Sequence, residues 1–174
     1  MEELKHISEI DKPDERAKYI SLTLEEHRRR IDDIKINDKV PEIIRNRFIT
    51  AQNLLLYSWY VYTFGVVAEL QVISSLEYAL KIKQCINSKS VGLKKCMNDA
   101  INQGLINDKG IREHIGSGPG ESIALEAFGF TEYVCIDSGD HQAYVKLLAR
   151  SIPNIRNRLA HGEPLLWPVN YTMF

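Results

Sequence analysis

The chain alternates amphipathic stretches with short polar breaks. Near its end, Val145, Leu148, Ile152, Ile155 and Leu159 step by three and four, the spacing that lays one apolar stripe along a helix. Val66, Leu70, Ile73, Leu76 and Leu80 repeat that step upstream. "LKKCMNDAINQGL" predicts a helix of three turns stopped by Gly104 as its C-cap. Residues 12–36 open on Pro13-Asp14-Glu15, a helix start, and carry a looser stripe of Tyr19, Leu22, Leu24, Ile31 and Ile34. No set of alternating segments predicts a sheet. Only "FGFTEYVCIDSGD" has β-branched and aromatic content, and it reads as irregular or as a small hairpin. The fold class expected is therefore all-α, a bundle of four to five helices with a loop-rich insert before the last one.

The breaks set the expected organisation of a single helical domain. A charged N-terminal helix fills 1–40, a core bundle fills 41–162, and an extended tail holds 163–174. Pro41 starts a new helix, and from there to Cys85 the pattern reads as one long helix or two end to end, with Gly65 as the weak point. The last helix is expected at 141–161, capped by Asp140, with Pro153 kinking or restarting it. Pro164 and Pro168 favour an extended tail, anchored by Trp167.

Composition narrows the classes. At 174 residues one domain is the default, large enough for a proper core. The net charge of −1 makes the whole molecule no magnet for polyanions, so nucleic-acid binding would need a local basic patch. Cys85, Cys96 and Cys135 are widely spaced and odd in number. That reads as reduced thiols in a cytoplasmic protein rather than a disulfide framework or a zinc site. The charged start "MEELKHISEIDKPDERAK" has no apolar core of a secretory signal. Residues 48–68 lack any charge, but Thr50, Gln52, Asn53, Ser58 and four tyrosine or threonine positions dilute the run. A buried central helix is the better reading than a membrane span.

Several segments draw attention and carry little. His27-Arg28-Arg29-Arg30 before Asp32-Asp33 reads as a solvated helix face with local ion pairs. "GSGPGES" at 116–122 resembles a phosphate loop only superficially, because no GK[ST] follows. His6, His27, His114 and His141 have no metal-ligand spacing and read as surface or loop residues. Ser138 and Cys135, near His141, sit in no nucleophile-elbow pattern. Glu69 and Glu77 lie on an apolar helix, either exposed or paired with an arginine. "IRNRF" at 44–48 echoes "IRNRL" at 155–159 without wider similarity, and is treated as coincidence.

The segment "IRNRLAHGEP" at 155–164 carries the chemistry. Asn157 and His161 are four apart and share a helix face, whereas Arg156 and His161 are offset by roughly 140°. From Val145 to His161 the fixed charges are Lys146, Arg150, Arg156 and Arg158, with no acid. That local positive patch suits a phosphate. A bland alternative stays open, namely cations complementing a helix C-terminus ahead of a Gly162 cap.

"RNRLAHG" resembles the motif of the HEPN superfamily, an arginine, a polar residue, then a histidine on the last core helix of a small helical bundle. Arg156, Asn157 and His161 match it as R-N-x-x-x-H, and the layout of 50–162, including "LEYALK", looks similar. The upstream Pro153 and the long insert at 111–139 depart from it. The resemblance implies a metal-independent endoribonuclease acting as a homodimer, of toxin–antitoxin or abortive-infection type. No cofactor and no metal are implied. The partners implied are RNA and an antitoxin or other protein, not a membrane. In that reading an RNA 2′-hydroxyl attacks the adjacent phosphate, leaving a 2′,3′-cyclic phosphate and a 5′-hydroxyl. His161 is the general acid or base, because imidazole is the side chain that ionises near neutrality. Arg156 stabilises phosphoryl charge, and Asn157 orients His161 or bonds the phosphate. Arg158, Arg150 and Lys146 hold the RNA backbone. Some members of the superfamily are non-catalytic, so a helical protein- or nucleotide-binding module is the alternative.

Overall fold

A computed structural model describes residues 4–19, 23–88, 90–109, 122–124, 133–135 and 142–162. These hold five α-helices, α1 (Leu24–Asp32), α2 (Glu42–Tyr57), α3 (Phe64–Lys83), α4 (Leu93–Asn102) and α5 (Ala143–Ala160). Two 3₁₀ turns, Ile7–Glu9 and Glu15–Tyr19, precede α1. Strands β1 (Ser122–Ala124) and β2 (Tyr133–Cys135) pair antiparallel, with Ile123 opposite Val134. The fold class is all-α, with this single short ribbon added. Among the described residues the chain divides within α3 into two compact units, one up to Ser75 and one over residues 76–162.

In the first unit, the expected helix over 12–36 is in fact two pieces. Thr23 Oγ1 accepts from Glu26 N at 3.1 Å and starts α1 afresh. That is the T-x-x-E start signal, which outweighs Pro13 as the helix opener. At the other end, Gln52 Nε2 of α2 donates to Ile31 O and Ile34 O, at 3.2 and 2.9 Å. α1 packs on α2, and Ile31, Leu55 and Ala68 form a core cluster flanked by Leu54 and Leu56.

The uncharged stretch resolves into two helices, and the break lies at 58–63 rather than at Gly65. Ser58 Oγ donates back to Leu55 O at 2.6 Å, while Trp59 and Tyr62 turn inward and are buried. Asp14 stitches this corner. Its N–H donates to Trp59 O at 2.9 Å, and Tyr62 N–H donates to its carboxylate at 3.4 Å. Arg16 closes the stitch by pairing with Asp14 at 2.8 Å and lying 4.4 Å from the centre of the Tyr62 ring. The Arg16 guanidinium holds the Asp14 carboxyl down at about 2. Among the described residues, no helix is long and apolar enough to cross a membrane.

His27 is a correction to the sequence reading. It is not a surface histidine but is fully buried, its Nε2–H donating to Leu55 O at 2.8 Å and its ring beside Trp59. The arginines after it behave as expected, with Arg28 paired to Asp32 and Arg30 to Glu26. Glu77 pairs with Lys81 rather than with an arginine. Glu69 has no ion pair among the described residues, and burial lifts its carboxyl to about 7.

In the second unit α4 packs on α5; α4 buries Cys96, Met97, Ala100 and Ile101, and α5 buries Val145, Ile155 and Leu159 among others. Two helices end alike, and a third shares their left-handed residue. Gly104, at φ +67, donates to Ile101 O while Leu105 N–H reaches Ala100 O at 2.8 Å, the paired closure that a left-handed residue permits. Cys85, at φ +55, does the same after α3, and Gly162, at φ +74, follows α5.

The start of α5 is the unit's main polar anchor. The helix begins at Ala143 rather than at His141, and its N-cap Gln142 makes no side-chain cap. Asp108, 1% exposed, supplies it from a distance: Oδ2 accepts from Tyr144 N at 3.1 Å and Oδ1 from Val145 N at 2.9 Å. Two of the open N–H groups of the first turn are thus satisfied by a carboxylate lying where the helix dipole favours one. The expected cap Asp140, the insert at 111–139 apart from the two strands, and the tail with Trp167 lie outside the described residues, as do His114, His141, Ser138 and the side chain of Cys135.

Two predictions follow from these buried polar groups. Asp108→Asn presents an amide hydrogen to one of the two N–H donors and should lower the urea-unfolding free energy by about 2 kcal/mol. A loss under about 0.5 kcal/mol would remove Asp108 as the anchor of α5. The second concerns pH. Burial, the largest cause, drives His27 below its ordinary value. The unfolded ring therefore binds protons more readily than the folded one. Its contribution is complete above about pH 6.5 and drains away as pH falls. Glu69 acts in the opposite sense. Its folded carboxyl holds a proton to about 7, so its contribution is complete below about pH 4.5 and is lost as pH rises through 7. In urea titrations His27→Gln should flatten the acid limb, and Glu69→Gln should gain roughly 2–3 kcal/mol at pH 8. An unchanged Glu69→Gln midpoint at pH 8 would show that the carboxylate ionises there without cost.

Candidate functional site

The motif lies on the last two turns of α5 and its cap. α5 is continuous across Pro153, which is buried, so the ring neither breaks the helix nor restarts it. A proline there leaves the Ala149 carbonyl without its helical donor, and two residues away Ser151 Oγ donates back to Leu147 O at 2.8 Å. The buried side is broader than the expected stripe. Val145, Ala149 and Pro153 form one buried row and Leu147, Ser151, Ile155 and Leu159 another. Leu148 and Ile152, predicted as core, are only half-buried. Both rows must be covered because α4 and β2 each pack against α5.

What remains exposed is a polar strip. Lys146, Arg150, Asn154, Asn157 and His161 are all exposed. At about 100° per residue, Asn157 lies roughly 40° from His161 around the helix, Asn154 and Arg150 about 20°, and Lys146 about 60°. The strip climbs roughly 22 Å from His161 to Lys146 at 1.5 Å per residue. No acid occurs in 143–162. Arg158, half-buried, borders the strip about 60° from His161 and one turn away.

Arg156 is set apart. It lies about 140° from His161, over the buried side between the Val145 and Ala149 directions. Its Nε is buried and finds no hydrogen-bond partner among the described residues. Its tip bends back to the strip, where Nη1 donates to Asn157 Oδ1 at 3.3 Å. The structure thus brings Arg156 to Asn157, and Asn157 to the face of His161. His161 itself is the C-cap residue, with φ −88 and ψ 3, its N–H donating to Asn157 O at 3.0 Å. Gly162 follows in the left-handed region, and the imidazole is exposed at the helix end.

Other reactive groups lie elsewhere in chemistry. Cys96 is buried, and burial pushes its thiol up, away from nucleophilic character. Burial, with the nearby Asp108 charge, raises the Tyr144 phenol. Among the described residues no three histidine, cysteine or acidic side chains gather as metal ligands.

Sequence reasoning missed Asn154 and Asp108. Asn154 was within reach, since a position seven before His161 falls on nearly the same face. Asp108 was not, because 37 residues separate it from the backbone it caps. No family model matches the chain, and no curated protein and no solved structure matches it either.

Proposed function

We propose that this chain is a metal-independent endoribonuclease of HEPN type, cleaving RNA by attack of a 2′-hydroxyl on the adjacent phosphate. One observation carries the reading: an exposed histidine ends a helix whose exposed strip holds amides and cations and no acid. A phosphodiester needs those parts, namely a proton carrier near neutrality, hydrogen-bond donors for the phosphoryl oxygens and positive charge along the backbone. His161 is the general acid or base. The amide of Asn157, held by Arg156, faces the phosphate, and Arg158, Arg150 and Lys146 attract the strand. Among the described residues one chain offers a single histidine at this site, and a homodimer pairing two such helix ends would supply the acid and the base together. The toxin or abortive-infection setting, with an antitoxin or other protein partner, belongs to the same proposal.

A second reading has its own support. Ile43, Ile49 and Tyr57 of α2, with Phe64 and Val67 of α3, are exposed apolar side chains in or beside the uncharged stretch. A non-catalytic helical module binding a protein through them would also account for the chain.

Purified protein incubated with total and transfer RNA in EDTA distinguishes the two. Wild-type protein should cut, leaving 2′,3′-cyclic phosphate ends, and His161→Ala should lose at least about 100-fold in rate with an unchanged melting temperature. Cutting that persists in His161→Ala would move the site elsewhere. Absence of cutting by either protein would leave the binding module as the function.

A further inference from the structure

Helix α2 buries one side, and the composition of its other side singles it out. Its exposed positions from Ile43 to Tyr57 are Ile43, Asn46, Ile49, Thr50, Asn53 and Tyr57, and none is charged. They fall within an arc of about 120° and run roughly 21 Å along the axis. The buried Ile44, Ala51 and Leu55 centre about 160° away. Ile43, Asn46, Thr50, Asn53 and Tyr57 step by three and four, the spacing of a seam that packs on another helix. Thr50 Oγ1 donates to Asn46 O at 2.9 Å, so its hydroxyl is satisfied within the helix and its methyl is left for the surface. The side-chain amides of Asn46 and Asn53 have no partner among the described residues. Each keeps both a donor end and an acceptor end.

The order of these residues says what can cover them. It reads nearly alike in both directions, as isoleucine, amide, threonine, amide, tyrosine. Turned about a two-fold axis at Thr50, Ile43 comes level with Tyr57 of a copy, Asn46 comes within one residue of Asn53, and Thr50 meets its twin. Apolar ends then meet apolar ends, amides meet amides that can give and accept, and a small side chain sits at the closest approach. Charge sets the direction. Glu42, Arg45 and Arg47 are the charges of α2, and all lie in its first six residues. A parallel copy would set each beside its own twin, at an electrostatic cost. An antiparallel copy sets them level with residues 53–58, which carry no charge.

We propose that the exposed face of α2 is the interface of a homodimer, in which α2 packs antiparallel on α2 of a second copy about a two-fold axis at Thr50. The face is complementary to itself, as a contact around a two-fold axis must be. The inference goes beyond the pairing of α5 ends and does not rest on it. It also gives the exposed apolar side chains of α2 their occupant.

Sedimentation of the full-length protein reads the dimer directly. The wild type should pass from monomer to dimer as concentration rises. Asn46→Glu combined with Asn53→Glu brings like charges level and should weaken self-association at least about 100-fold. Asn46→Lys combined with Asn53→Glu brings opposite charges level in the antiparallel arrangement only, and should keep the dimer. Circular dichroism checks that both variants fold. Thr50→Cys is the gentler variant. Under mild oxidation it should form a covalent dimer in which peptide mapping finds position 50 joined to itself. A wild type that stays monomeric at every concentration overturns the inference and leaves the face to a different protein. So does a dimer that persists unweakened in the folded double-glutamate variant, because its contact then lies elsewhere. Loss of the dimer in the lysine–glutamate variant, or absence of the link at position 50, overturns the antiparallel arrangement. RNA cutting by a monomeric wild type would reject the dimer and keep the ribonuclease. A dimer with the expected pattern that cuts no RNA would do the reverse.

Discussion

A buried carboxylate, with no ion pair among the described residues, holds the helix on which the chemistry depends. Asp108 gives both oxygens to backbone N–H groups in the first turn of α5. A buried charge with no such bonds would be far too costly to keep. Two charge-assisted bonds and the positive end of the helix offset that cost. Every side chain along α5 inherits its direction from this start, because a helix is a rigid ruler: rotating its first turn rotates the polar strip and the buried rows together. β2 and α4 both pack on α5, and the polar strip stays in water.

The first unit solves a similar problem with a carbonyl. Leu55 O, near the end of α2, accepts from the buried His27 at 2.8 Å and from Ser58 Oγ at 2.6 Å. The end of a helix always leaves carbonyls in need of donors. Here they draw a histidine and a serine into the core and turn the chain out of α2. The polar groups inside this unit are thus the means by which an uncharged stretch of aromatics becomes a corner instead of one long rod.

Local patterns were legible in the sequence and distant partners were not. The three-and-four spacing located α3 and α5, "LKKCMNDAINQGL" read as α4, and Gly104 and Gly162 marked two helix ends because a left-handed residue is a local requirement. The Thr23 start was equally local, and the reading of 12–36 as one helix from Pro13 passed over it. His27 was misjudged because three arginines follow it, and charge on neighbours says nothing about the face a side chain occupies. The helix break at 58–63 depends on Asp14, which no window around Trp59 contains. At the site, the spacing separated Arg156 from His161 and joined Asn157 to it. It could not reveal that Arg156 bends back to Asn157, since a flexible side chain leaves no periodic trace.

Both long polar stitches put the acid first and its backbone partners later. Asp14 precedes Tyr62 by 48 residues, and Asp108 precedes Val145 by 37. A ribosome adding about 5–20 residues per second delivers the second member of each pair some seconds after the first. During that wait the carboxylates stay hydrated and charged, at no risk of burial, while the helices they will fasten are still being made. Each half of the molecule therefore emerges with its fastening already on the chain, and the first turn of α5 comes out to meet an anchor that is waiting for it.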